Sequence, residues 1–272
     1  MSLNKNLLVT LLFMAISLLA FSGCATNTTK STGGSSQDHL LSAVLWFQTS
    51  AEYKALSYQA YNLAKDRLDQ EIAKHRKSKS KKPLAIVLDI DETVLDNSPY
   101  QAKLIQDNKS FSSDSWKEWT LKAIAKPLPG AADFLKYAES KKIAIFYVTN
   151  RKGDEEVATL ENLKKENLPL GHLILRNGPS SKEERRNKVS NTHNIVLLFG
   201  DNLNDFSKVF EDKNIADRAK ETDSLRLEFG KRFIVFPNPM YGDWESSMFK
   251  SIKDKNSDTE KYQIRKSSLQ SF

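Results

Sequence analysis

The sequence predicts an α/β domain built on a doubly wound parallel sheet, with an N-terminal helical segment in front of it and a small cap. Short apolar runs, Leu84 to Leu88, Ile143 to Val148, Leu173 to Leu175, Ile195 to Phe199 and Phe233 to Phe236, recur between stretches of helical character. Strands that alternate with helices form a parallel sheet with right-handed crossovers. The first run is apolar throughout, as in a strand buried on both faces. Polar residues follow the runs directly: Asp89 and Asp91 after the first, Thr149 after the second, Asp201 and Asp205 after the fourth. Doubly wound topology brings those strand ends to one edge of the sheet, where ligands bind.

Residues 1–23 have the pattern of an export signal, with Lys5 before an apolar run, Leu7 to Phe21, interrupted only by Thr10 and Ser17. That run is shorter than the ~20 residues needed to cross a bilayer, which suits a signal-peptide core. Phe21-Ser22-Gly23-Cys24 resembles the lipobox of bacterial lipoproteins, which implies cleavage before Cys24 and acylation of that residue. Ala25, rather than Asp, follows it, which implies sorting to the outer membrane. Cys24 is the single cysteine, so no internal disulfide can form. Residues 24–37 are rich in Ser, Thr and Gly and read as a flexible tether with a reach of roughly 20 Å.

The folded body is expected over 38–272. A helix is predicted from Asp38, as N-cap, to about residue 76. After the first strand, residues 97–128 read as a cap, with a helix from Asp114 or Ser115 towards Ile124 that Pro127 and Pro129-Gly130 close. Helices are predicted over Ala131 to Ser140, Asp154 to Glu166 and Ser181 to about Val189, with a further helical region before Phe233. The tail, about 253–272, is polar.

Composition excludes several functions. Of 272 residues, 39% are hydrophobic and 28% charged, and the net charge is +7. The basic residues are scattered apart from a Lys/Arg-rich run, Lys74 to Lys82, which has no zinc-finger or RNA-binding pattern beside it and reads as a solvated linker. A nucleic acid polymer is therefore not the expected partner, although a mildly basic body helps draw in phosphate esters. His39, His172 and His193 are isolated and lack zinc-ligand spacing. No glycine-rich nucleotide loop is present, and no Ser or Cys nucleophile elbow.

The Asp89-Ile-Asp91 pair carries the chemistry. If the chain stays extended, both carboxylates point to one side, and two like charges that close need a divalent cation or a shared proton. A calcium loop counted from Asp89 fails, because Val94 and Tyr100 stand where Gly and Glu are required. A carboxylate pair at a strand end suits magnesium-assisted phosphoryl transfer through an aspartyl-phosphate.

Asp89-Ile-Asp91-Glu-Thr93, Val148-Thr149-Asn150-Arg151, Lys182 and Gly200-Asp201-Asn202-Leu203-Asn204-Asp205 resemble the four motifs of the haloacid dehalogenase superfamily. The stretches beginning at Trp46, Ile90 and Pro237 are similar to the class C acid phosphatases, the lipoprotein e(P4) family. The resemblance implies that Asp89 attacks phosphorus and that Asp91 is general acid and then base. It implies Mg²⁺ on the Asp89 carboxylate, the Asp91 carbonyl and Asp201, with Asp205 beside the metal water or Lys182. Thr149 and the Asn150 amide would hold phosphate oxygens, and Lys182, with Lys188 as the other candidate, would neutralise charge. Trp116, Tyr241 and Trp244 stand where the family holds the nucleoside of a nucleoside 5′-monophosphate, with Trp119 close to the first of these. Relatives are usually homodimers. A surface lipoprotein that mainly binds a ligand, and a phosphotransferase using the same intermediate, are the competing readings.

Overall fold

The computed structural model describes residues 37–250, 252 and 257–272. The export signal, the lipobox with Cys24 and all but the last residue of the tether lie outside the described residues.

A 3₁₀ turn, Asp38–Leu40, leads into α1 (Leu41–Thr49) and α2 (Ala51–Lys77). Asp38 is therefore not a helix N-cap, and the expected single helix is two. The break is Ser50, extended at ψ 137°, whose side chain accepts the Tyr53 N–H and caps α2. The bend lets Phe47 and Tyr53 meet with ring centroids 3.9 Å apart.

Strand β1 (Leu84–Leu88) follows, then a two-residue strand β2 (Leu95–Asp96), α3 (Ser98–Asp107), α4 (Ser113–Leu121) and β3 (Lys126–Pro127). Antiparallel pairing of β2 with β3 closes the neck of this insertion. Helix α4, capped by Ser112, starts at Ser113, one to two residues before the predicted start, and ends at Leu121, short of Ile124. Helix α3 was not anticipated; Pro99 sits in its first turn, where a missing N–H costs nothing.

The rest alternates as expected: α5 (Ala131–Ser140), β4 (Ala144–Lys152), α6 (Glu156–Lys165), β5 (His172–Arg176), α7 (Glu183–Thr192), β6 (Asn194–Gly200), α8 (Ile215–Ser224) and β7 (Phe233–Val235). The residues expected to open α6, Asp154 and Glu155, form a 3₁₀ turn with Gly153 instead. Two short helices end the chain, α9 (Asp243–Ser246) and α10 (Asp258–Ser267), the second inside the tail read as merely polar.

The main sheet has the order β5-β4-β1-β6-β7 and every pairing is parallel. Alternation along β1 serves both faces. Ile86 and Leu88 join the core formed with Tyr61, Leu68, Phe134 and Leu135, while Ala85 and Val87 join a second core with Val189, Phe206 and Phe233. The winding direction reverses at β1, so the mouths of β1, β4 and β6 flank the switch point.

A buried hydrogen bond ties α2 to the loop after β1: the Tyr61 hydroxyl donates to the Thr93 carbonyl at 2.6 Å. Tyr61→Phe leaves that carbonyl unpaired and is expected to cost about 1–2 kcal/mol in urea unfolding. A loss within the error of the measurement would show that the bond is not holding the loop.

Candidate active site

The β1 ladder runs one bond past the strand, with the Asp89 N–H donating to Phe199 O at 3.1 Å. The chain then curls. The N–H groups of Thr93, Val94 and Leu95 all converge on Ile90 O, at 3.3, 2.8 and 2.9 Å, and Glu92 takes a left-handed φ of 55°. The extended continuation considered for Asp89 and Asp91 is thus not adopted. Both carboxylates line one cavity, but they have different partners.

Asp89 meets Lys182. The Lys182 ammonium lies 2.5 Å from Asp89 Oδ1 and 2.6 Å from Asp205 Oδ1, and all three side chains are buried. Lys188, the other lysine considered, is exposed on α7. Asp205 Oδ2 accepts the Asn202 N–H at 3.1 Å. Gly200 allows this approach, because a Cβ there would overlap the Asp205 side chain. Asp201 accepts from Asn238 Nδ2 at 2.8 Å. Carboxylate oxygens of Asp89, Asp201 and Asp205 lie within 4.8 Å of one another.

Three carboxylates therefore cluster beside one ammonium, which pairs with Asp89 and Asp205. Burial pushes Asp89 up to about 7; Lys182 pulls it down, while Asp205 and Asp91 add to the rise. Asp201 is raised well above the carboxylate range, first by burial and then by Asp205 and Asp89. Burial opposes the charge on Lys182, but Asp205 and Asp89 outweigh it and the net shift is upward. The site fits a hard divalent cation. Its donors are all oxygen, their charge exceeds that of the lysine, and the buried Asp89 Oδ1 meets Lys182 as an ion pair without hydrogen-bond alignment.

The Asp91 carboxylate is held on the other side. Arg151 donates to Oδ1 from Nη2 at 2.7 Å and from Nε at 3.1 Å, and Asn97 Nδ2 adds a bond at 2.9 Å. Its side chain is not in the carboxylate cluster. Arg151 is buried, with Nη1 on Thr159 Oγ1 at 3.1 Å. The Thr149 hydroxyl accepts the Arg151 N–H at 3.1 Å.

The cavity has a volume of about 1120 Å³, and Asn150, Lys182, Trp116 and Tyr241 are among its walls. Trp116 stands edge-on to Tyr100, with centroids 5.2 Å apart. Trp119 instead packs on the core and donates to Asn97 Oδ1 at 2.8 Å. The Tyr241 hydroxyl donates to Glu92. Trp244 is not brought to the main cavity; it is 45% exposed and lines a recess of about 230 Å³ beside it. The outer rim includes Lys261 and Arg265 of α10, and Arg265 pairs with Glu245 at 2.7 Å.

Sequence reasoning gave no role to Arg151, Arg185, Arg186 or Asn238. Arg151 and Asn238 lay inside quoted motifs, which was a signal. Arg185 and Arg186 had none beyond their position just after Lys182.

Residues 23–244 match the family described as HAD superfamily, subfamily IIIB (Acid phosphatase). The chain belongs to that family. It is 46% identical to the class C acid phosphatase from Bacillus anthracis, over 88% of this chain and 99% of that one, with a TM-score of 0.82. The same enzyme with tungstate bound matches at 46% identity over 87% and 98%, with a TM-score of 0.81. The stem 31 kDa glycoprotein of Glycine max is 30% identical over 164 residues, 57% of this chain and 58% of that protein, so the match spans little more than half of its length.

Between the ordinary value of 3.8 and about 7, the folded state keeps a proton on Asp89 that the unfolded chain has released. The contribution of this group to stability therefore falls as pH rises through that window. A divalent cation that replaces the proton binds best once the proton is gone. Added Mg²⁺ is expected to raise the melting temperature more at pH 7 than at pH 5. An equal or smaller rise at pH 7 would contradict a cation held by these carboxylates.

Proposed function

We propose that this protein is a Mg²⁺-dependent phosphomonoesterase that hydrolyses nucleoside 5′-monophosphates and related esters through an aspartyl-phosphate. The observation that carries the reading is Asp89, buried against Lys182 beside Asp201 and opening into a cavity large enough for a nucleotide.

In this reading an Asp89 carboxylate oxygen attacks phosphorus, and the bond to the ester oxygen breaks. Asp91, steadied by Arg151 and Asn97, gives that oxygen a proton. Asp91 then takes a proton from water as the water attacks phosphorus, which releases inorganic phosphate and restores Asp89. Thr149 and the Asn150 amide hold phosphate oxygens, and Lys182 offsets the charge on the phosphoryl group. Mg²⁺, when bound by Asp89, the Asp91 carbonyl and Asp201, neutralises further negative charge on that group.

The nucleoside would rest on aromatic surface, with Trp116 and Tyr241 in the cavity wall and Trp244 beside it. Base stacking on such rings contributes roughly 1–3 kcal/mol and tolerates any base. The lipobox reading adds an acyl anchor at Cys24 that would hold the enzyme on the outer membrane. A homodimer is the expected assembly.

Phosphate release from a panel of esters tests the reading. With Mg²⁺ at pH 5 to 7, nucleoside 5′-monophosphates should be cleaved faster than glycerol phosphate, and EDTA should stop the reaction. Asp89→Asn should lower turnover by at least about a thousandfold. Release without nucleotide preference would discard the aromatic subsite, and an active Asp89→Asn protein would discard the mechanism.

A further inference from the structure

Helix α7 carries Arg185 into the interior beside Thr149 and Asn150 of β4, where the residue is 8% exposed. Its guanidinium makes four hydrogen bonds, all to neutral oxygens. Nη1 donates to Thr149 O at 2.5 Å, and Nη2 donates to Asn150 Oδ1 at 2.7 Å, Ser180 O at 3.0 Å and Ser181 O at 3.2 Å. A buried cation spent on carbonyls is costly unless the geometry it imposes matters.

The geometry concerns one peptide group. The Thr149 carbonyl and the Asn150 N–H belong to the same planar trans unit, so they point in opposite directions. With the carbonyl drawn towards α7, the N–H is turned the other way. The β4–β5 ladder does not provide this constraint, because its register shifts between Val148 and Lys152 and Thr149 to Arg151 fall within the irregular stretch. The same guanidinium also ties this segment to Ser180 and Ser181, the residues just before Lys182.

We infer that Arg185 is a positioning residue for phosphate binding. It sets the Thr149–Asn150 peptide so that the Asn150 N–H faces the substrate phosphoryl group, and it fixes that peptide relative to the segment that delivers Lys182. The inference rests on the phosphomonoesterase reading and adds a residue to it. Lysine cannot replace the fork, since a single ammonium does not span Thr149 O, Asn150 Oδ1 and the two serine carbonyls in one plane.

The test compares Arg185→Lys and Arg185→Met with the parent protein. Each is checked for an unchanged fold by circular dichroism and assayed for ester hydrolysis and for competitive inhibition by inorganic phosphate. The KM for the ester and the inhibition constant for phosphate should rise together, by between about tenfold and a hundredfold in the Met variant and less in the Lys variant, with kcat changed less. If Arg185 only supports the fold, kcat or active fraction falls and the phosphate inhibition constant stays at the parent value, which overturns the inference. A parent protein that is inactive and not inhibited by phosphate would instead remove the reading on which this rests.

Discussion

Lys182 stands between two buried carboxylates, Asp89 and Asp205, and most of the surrounding structure serves to keep it there. Without the ammonium, Asp89, Asp201 and Asp205 would share a small buried space as three like charges. With it, the site remains short of positive charge, and that deficit gives it an appetite for a cation and for protons. Lys182 pulls Asp89 back towards its charged form in a place where burial pushes it up to about 7.

The supports of that pair come from every part of the fold. Helix α7 presents Lys182 at its start, then sends Arg185 to the end of β4 and Arg186 to the loop after β6, where it holds the carbonyls of Asn204 and Asp205 at 3.0 and 2.7 Å. One turn of one helix thus locks two strand mouths to the lysine between them. Arg218 adds a second tie to that loop through Asn204 Oδ1 at 2.9 Å and Phe210 O at 2.7 Å. On the far side of β1, Arg151 draws the Asp91 carboxylate away from the cluster, so the two aspartates of one motif stand in different electrostatic surroundings. Two carboxylates with separate partners can take separate roles.

The sheet was legible in the sequence because buried parallel strands are apolar runs, and five of them stood out between helical stretches. The acidic residues were legible because each followed such a run directly. What escaped was set by contacts that no local pattern encodes. Ser50 breaks the first helix by capping the second, and Phe47 and Tyr53 meet across the break. Pro99 hides α3 by looking like a turn. The curl at Ile90 depends on three N–H groups converging on one carbonyl, so an extended reading of Asp89 and Asp91 had no local objection. Arg185 and Arg186 resemble any charged pair on a solvated helix until the fold turns them inward. Helix α10 closes the outer rim through Arg265 and Glu245, a pairing between residues twenty positions apart.

The decisive species is a phosphoryl group bonded to Asp89. The most direct measurement is to mix the enzyme with a nucleoside 5′-monophosphate, quench in acid within a turnover, reduce with borohydride and map the modified residue by mass spectrometry. Acyl phosphates are reduced to the alcohol, so the account predicts that Asp89 alone is converted to homoserine, and that no conversion occurs without substrate. Conversion at Asp91, Asp201 or Asp205, or none at all in an enzyme that is turning over, would contradict it.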